Sequence, residues 1–334
     1  MATSGSYNFT RTAGQIITAA FENLEEIIPG GTVPSGHSTM ALARLNMIAK
    51  QYQGTADGSP GVKIHSRQRV TLFLSRLQQQ YVVGPLTNNS RATTQYGRTT
   101  SRAAEAAGQT ALDITARTDT TTYPGTTVTM LDSDVIGVQT DDSTGDDIFW
   151  STISSSSATG PVVTLADALP TGRPAAVGNY VWWFKSRAQR FPVIESAVLR
   201  NSSLADTELD IYRDIEEYEL GVVDKYADGQ PTAILVEPLR IATRITLNSQ
   251  PTDVTSQILM TVLYPSEDYD ATGDEIAYPQ EAFRFLSWEL AFELAPGVGA
   301  DWTSAMEKLR MEARASYLSL NPEKSVVYFC PGPL

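Results

Sequence analysis

The run YPQEAFRFLSWELAFELAPGVG, residues 278–299, constrains the fold of this chain more than any other stretch. It follows a strand-like ILMTVLYP and an acidic turn. Pro279 stands where a helix can begin, because the missing N–H of a first-turn proline is no loss. Pro296 and two glycines close the run. Between these marks the sequence is apolar all round, with Phe283, Leu286, Leu290 and Leu294 along one face. A helix of that kind is buried rather than laid on a surface. The pattern is that of a packed helix and not of a catalytic loop.

Three more segments carry helical periodicity. From Thr12 to Ile28, Ile16, Ile17, Ala20, Phe21, Leu24, Ile27 and Ile28 recur at intervals of three and four, the stripe of an amphipathic helix, and Pro29-Gly30-Gly31 ends it. Ser38 to Tyr52 repeats the arrangement with Met40, Leu42, Leu45, Ile48 and Ala49, and Gly54 stops it. Two such helices joined by a short turn form an antiparallel hairpin whose apolar faces need a third partner. A last helix is expected from about Asp301, with Met306, Leu309, Ala313, Ala315 and Leu318 in the stripe and Lys308, Arg310 and Arg314 outside it, up to Asn321-Pro322.

The middle of the chain is β-prone. Residues 61–84 alternate through Val70, Leu72 and Leu74, then Tyr81, Val82 and Val83. From about Tyr96 to Trp183 the composition turns to Thr, Ser, Asp and Gly around short runs: ALDITA, TTVTML, DVIGVQ, DIFWSTI, PVVTLA and NYVWWF. Short strands at about eight-to-twelve-residue spacing with turn residues between them mark a small β-sandwich or barrel. Phe149, Trp150, Trp182 and Trp183 are its core anchors or, where one side stays open, contact residues. Between Phe191 and Pro265, FPVIESAVLR and TELDIY read as paired strands, RDIEEYELGVVDKYA as a short helix, and TAILVEP, ATRITLN and QILMTVLYP as further strands. These are expected to pair with residues 61–84 in one sheet, across the insertion. A long inserted loop costs a domain stability only logarithmically.

The expected fold class is therefore α+β: a helical bundle from the N- and C-terminal helices, a mixed β domain, and an inserted small antiparallel β-sandwich or barrel. The corresponding division is residues 1–60 for the N-terminal hairpin, 61–95 with 191–275 for the β-rich middle, and 96–190 for the insertion. Residues 276–322 hold the C-terminal helices and 323–334 an extended tail.

Composition excludes several classes of function. The 334 residues suffice for two or three domains, and no stretch approaches the roughly 18 uncharged apolar residues that cross a bilayer. The start MATSGSYNFTRT lacks the apolar core of a secretion signal, so the expected site of synthesis and use is a cytoplasm, with no membrane partner. A single cysteine, Cys330, cannot form an intrachain disulfide or a thiolate metal cage, and only His37 and His65 exist to activate a thiol. A net charge of −13 argues against gripping nucleic acid, since Lys and Arg supply most of that affinity. Acidic walls would instead let a duplex slide past without adhering.

No glycine-rich phosphate loop, nucleophile elbow, HExxH or Cys/His metal spacing is present, so no catalytic residue, cofactor or metal ligand is assigned and the chain is not expected to be an enzyme. Two acidic loops come nearest to a site. Asp268 to Glu275 has the Asp, Asp and Gly of a calcium loop, but Pro279 stands where the bidentate glutamate belongs. Asp141, Asp142, Asp146 and Asp147 surround Gly145 and could gather a hard cation; the structural alternative is a hairpin turn, for which Asp and Gly are good formers. Arg91, Arg98, Arg102 and Arg117 fall in a Thr-rich segment and could touch phosphate or an acidic neighbour, or simply solvate a surface.

The tail carries the clearest functional signal. Val326, Val327, Tyr328 and Phe329 are adjacent apolar residues followed by Pro331, Pro333 and the terminal Leu334. The prolines prevent helix and leave an extended, pre-stiffened strand. Docked on another subunit, such a segment adds a strand or fills a groove.

Taken in series, several of these pieces resemble a known family. They are QIITAAFENLEEI with LARLNMIAKQYQ, then RFPVIESAVLR with TELDIYRDIEEYELGVVDKYADGQPTAI, then YPQEAFRFLSWELAFELAP. In this order they look like the tail accessory factors, or head completion proteins, of short-tailed bacteriophages, the head-to-tail adaptors below the portal. The resemblance implies a structural virion protein whose copies form a ring, a dodecamer, between the portal protein and the tail nozzle protein. The ring would complete the head-tail connector and help retain packaged DNA, which passes through the channel without specific binding. The expected location is the virion neck, after synthesis in a bacterial host's cytoplasm. Residues Val326, Val327, Tyr328, Phe329, Pro331 and Leu334 would contact the portal or a neighbouring subunit. The alternative from another class is a virion-associated cell-wall carbohydrate hydrolase or binding module, since the β insertion holds both aromatics and acids. A third is a β-rich nozzle or spike subunit, which should lack the terminal helical pairs.

Overall fold

The computed structural model describes residues 9–52, 67–84, 91–123, 126–142, 145–156, 160–225 and 227–319. Among these residues the chain is α+β. Its helices are α1 Ala13–Asn23, α2 Ser35–Gln51, α3 Ile215–Gly221, α4 Phe283–Val298 and α5 Ser304–Leu318, accompanied by several sheets. The chain forms two compact units, Met1–Arg67 with Pro265–Leu334, and Gln68–Tyr264.

In the first unit α4 is the central helix. It buries Phe283, Phe285, Leu286, Leu290, Ala291, Leu294 and Ala295, and shares one apolar core with Ile16, Ile17 and Phe21 of α1, Leu45 and Ile48 of α2 and Tyr317 of α5. Pro296 does not end the helix. It continues to Val298 and is closed by Gly299 in the left-handed region, φ 76°.

The other helices differ from expectation at their ends. α1 opens with a capping box: Thr12 Oγ1 accepts from the Gln15 amide (3.3 Å) and Gln15 Oε1 from the Thr12 amide (3.1 Å). It stops at Asn23 rather than Ile28, because Glu25 takes a left-handed conformation, φ 61°. The amides of Glu25 and Glu26 then turn back onto the carbonyls of Glu22 and Phe21, the paired bonds of a Schellman ending. Ile28 is consequently 79% exposed and not part of the stripe. α2 starts at Ser35, three residues before Ser38, directly after Pro34.

The stripe expected for α5 is corrected too. Ala313 and Tyr317 are its buried residues, Leu309 is exposed, and Arg310 points inward. The reason is a charge on a neighbouring helix: Glu289 of α4 is buried and draws the guanidinium in.

In the second unit two sheets share a core. One has five strands in the order Asp206–Glu208, Val193–Arg200, Gln257–Leu263, Arg67–Phe73, Ala92–Thr93. The other has four: Asp210–Tyr212, Ala233–Pro238, Thr243–Leu247, Gln80–Val83. Val70, Leu72, Tyr81, Ile194, Ile245 and Met260 meet between them. Residues 67–83 thus do pair with strands after residue 190, but in two sheets rather than one. TELDIY divides at buried Leu209: Asp206–Glu208 pairs antiparallel in the first sheet, and Asp210–Tyr212 pairs parallel with Ala233–Leu235 in the second. α3 lies in that parallel crossover, as parallel neighbours require a long connection.

A six-stranded sheet is drawn wholly from residues 97–184, in the order Gly97–Thr100, Tyr180–Phe184, Val135–Thr140, Asp147–Ser156, Val162–Leu165, Ala111–Asp113. NYVWWF shows how sequence sets its two faces. Successive strand residues point to opposite sides, so Val181 and Trp183 join Ile136, Val138 and Ile153 in one core. Trp182 and Phe184 join Phe73, Tyr96 and Ile148 in another. Glycines stand opposite the large rings. Gly97 is the cross-strand neighbour of Trp183, and Gly137 lies between Trp182 and Trp150. A Cβ at Gly97 would overlap the Trp183 indole, and one at Gly137 the Trp150 indole.

Candidate functional site

The acidic loop Asp268–Glu275 serves the open end of α1. The carbonyls of Asp274 and Thr272 accept from the Ala13 and Gly14 amides, 2.8 Å each, satisfying donors that a helix start leaves free. The Asp274 carboxylate is turned onto its own loop, accepting from the Asp270 and Ala271 amides, 2.8 Å each. Asp268 pairs with Lys50 of α2. The side-chain amide of Asn46 brackets Tyr269, donating to its carbonyl (3.0 Å) and accepting from its N–H (2.8 Å). These contacts tie the loop to two helices.

In the second acidic loop, Arg173 lies between Asp142 (3.1 Å) and Asp147 (2.9 Å). Asp141 accepts from Asn179 Nδ2 (3.1 Å) and the Ala176 amide (3.0 Å), and Asp146 from Gln139 Nε2 (2.9 Å). The carboxylates act as turn and sheet-edge anchors. Among the described residues no group of three or more His, Cys, Asp or Glu side chains is gathered as a metal ion would require.

The arginines picked out in the sequence are engaged in packing. Arg102 makes a forked contact to Asp113 Oδ2, from Nε (3.2 Å) and Nη2 (2.9 Å). The Arg98 guanidinium lies over Tyr180, 5.3 Å from the ring centre, and that of Arg91 over Trp150 at 5.7 Å. Burial, and after it the charge of Arg187, pushes Arg91 down to about 10. Among the described residues, Nε and Nη2 of Arg117 are buried without a hydrogen-bond partner.

Of the four aromatics, Trp182 and Trp183 are fully buried, and Phe149 and Trp150 are half-buried against the two cores. None is an open platform. His37 stacks on Phe21, with ring centres 5.8 Å apart. The expected contact residues Val326, Val327, Tyr328, Phe329, Pro331 and Leu334 lie outside the described residues, as do Cys330 and His65.

Two Asp-centred turns hold the β unit together and share a pattern, DTTT at 119–122 and DVTS at 253–256. Asp119 accepts from the Thr121 amide and hydroxyl (2.7 Å each), from the Thr122 amide (3.2 Å) and hydroxyl, and from the Arg98 amide (2.8 Å). Burial opposes its charge, but the bonds from Thr122, Thr121 and Arg98 outweigh burial and hold it below the ordinary carboxylate range. Asp253 is depressed in the same way against its own burial, by Thr255 and Ser256.

Three features escaped sequence reasoning. One is the buried Glu289, for which an acid within a largely apolar helix was the available signal, since buried charge demands a partner. Another is the outer side of α3, a helix the sequence does announce, where Leu220 and, just beyond the helix, Val223 are exposed at 87% and 99%. The third is a depression of about 340 Å³ in the helical unit, lined by Phe9, Phe283 and Trp288 with Arg11 and Arg284. Compared with protein-family models, curated proteins and solved structures, the chain matches none. Among the described residues, large apolar side chains are exposed at Ile28, Leu220 and Val223, and no helix is long and apolar enough to cross a membrane.

Proposed function

We propose that this chain is a ring-forming adaptor of a virion neck, acting through subunit geometry rather than catalysis. It would sit between the portal protein and the tail nozzle protein of a short-tailed bacteriophage, as one copy of a dodecamer. Packaged DNA would pass through the channel without specific binding. The observation that carries this is the shared core of helices from both chain ends, α1 and α2 with α4 and α5, enclosing between them in sequence a β-rich unit. That is the arrangement the family resemblance implies. In finer terms the four helices are a bundle, residues 61–95 with 191–275 a β-rich middle, and residues 96–190 an inserted antiparallel β-sandwich or barrel.

Two further observations support an adaptor. The acids of both candidate loops are used to hold the fold. Trp182 and Trp183 are buried and Phe149 and Trp150 half-buried, so none of these four offers a carbohydrate module an open platform, which weakens the alternative.

In this account Val326 to Leu334 dock on the portal or a neighbouring copy. Deleting residues 325–334 should therefore leave a folded chain that no longer cosediments with portal. A truncated chain that unfolds, or still joins portal, overturns the docking role.

A further inference from the structure

Two surfaces of this chain, one in each unit, set exposed apolar side chains beside opposite charges. The first is the outer side of α3. Tyr218 and Val222 hold this helix onto Ala233 and Leu235, and Tyr218 Oη donates to the Leu247 carbonyl (3.1 Å). Tyr218 and Val222 are the buried residues of the segment Ile215–Val223. Ile215, Leu220 and Val223 are exposed at 55%, 87% and 99%, with the exposed acids Glu216 and Glu217 among them. A single exposed leucine is ordinary, but large apolar residues grouped on one short segment with a polar rim mark a contact surface.

The second is the depression of the helical unit, with an apolar lining of Phe9, Phe283 and Trp288. Phe9 is 57% exposed, and the cations Arg11 and Arg284 flank it. Arg11 leans over the Phe9 ring at 5.4 Å. Among the described residues neither arginine has an ion-pair partner.

We propose that the acid-flanked ridge Ile215–Val223 of one copy docks into the arginine-flanked aromatic depression of the next. Leu220 and Val223 fill the depression, while Glu216 and Glu217 meet Arg11 and Arg284. A second copy is the fitting occupant because every chain carries both halves, of opposite charge and matching apolar character. As the two surfaces differ, the contact is head-to-tail and propagates rather than closing as a twofold dimer. It names the subunit contact of the ring proposed above, and rests on that proposal for closure.

Charge reversal tests it in the full chain. Glu216→Lys with Glu217→Lys makes a cationic ridge beside the native arginines, and Arg11→Glu with Arg284→Glu makes an acidic depression beside the native acids. Sedimentation with portal as template should give assembly for wild type and, for each reversed chain alone, association at least about tenfold weaker, as expected for like charges brought together. An equal mixture of the two reversed chains should assemble again, since both alternating contacts are then complementary. Reversed chains that assemble as wild type does, or a mixture that stays dissociated while both chains fold by circular dichroism, would overturn the ridge contact and leave the ring standing. Wild type that stays monomeric with portal would overturn the ring and the contact together.

Discussion

Arg310 of α5 donates through Nε to the carboxylate of Glu289 on α4, and both side chains are shielded from water, at 13% and 4% exposure. The pair is embedded rather than isolated. Tyr52 Oη also donates to Glu289 (2.8 Å), Glu307 contacts Arg310 (3.2 Å), and the guanidinium lies 3.8 Å from the Phe292 ring centre. Removing one partner of such a pair strands the other, which costs about 3–5 kcal/mol. Arg310→Ala should therefore loosen α4 and α5 by that amount, read as faster hydrogen exchange of their amides. Arg310→Met with Glu289→Leu should recover most of the loss but not all, because Tyr52 loses its acceptor. A single variant with unchanged exchange would contradict the role given to the pair.

Gly97→Ala and Gly137→Ala should each destabilise the β unit. The added methyl group overlaps an indole at both positions, and overpacking of this kind costs about 1–3 kcal/mol. Pairing Gly97→Ala with Trp183→Leu removes the clash, so thermal unfolding of the four chains of that cycle should show coupling at Gly97 and Trp183. Additive losses would mean the ring is not the obstacle.

Glu25→Gly should stabilise the helical unit. Glu25 holds a left-handed conformation that costs a side-chain-bearing residue about 1–2 kcal/mol, partly offset by the greater freedom of glycine in the unfolded chain. A net gain of about 0.5–1 kcal/mol is expected in denaturant melts. A loss there would show that α1 does not end as described.

Acid should weaken the β unit through Asp119 and Asp253. Both carboxylates are depressed in the fold, so the unfolded chain binds their protons first as pH falls. Their stabilisation is complete above the ordinary value of 3.8 and is lost as pH drops from there through the lower, folded values. Asp119→Asn should lower stability at neutral pH and flatten the acid limb of a stability-against-pH curve. An unchanged acid limb would contradict this.

Much of the fold was legible because its signals are local. The all-round apolar run of α4 announced a packed helix, and NYVWWF announced a strand whose tryptophans anchor a core. What was not legible depended on residues far away in sequence. Arg310 faces inward because of an acid 21 positions earlier on another helix. TELDIY crosses between sheets at Leu209, where its two halves find different partners. Glu25 ends α1 in a conformation usually signalled by glycine, so Pro29-Gly30-Gly31 drew the expected boundary instead. The ridge on α3 was hidden because exposure depends on which face the sheet beneath it takes. For the candidate site, the acidic loops were found, but their partners Arg173 and Asn46 carry no motif.

The most direct measurement is electron microscopy of the assembled particle with this polypeptide tagged, together with the purified chain mixed with portal. The adaptor account predicts label confined to a collar at the head-tail vertex and a ring of copies seated beneath portal. Particles whose neck lacks the label, or a chain that leaves portal bare, would contradict it.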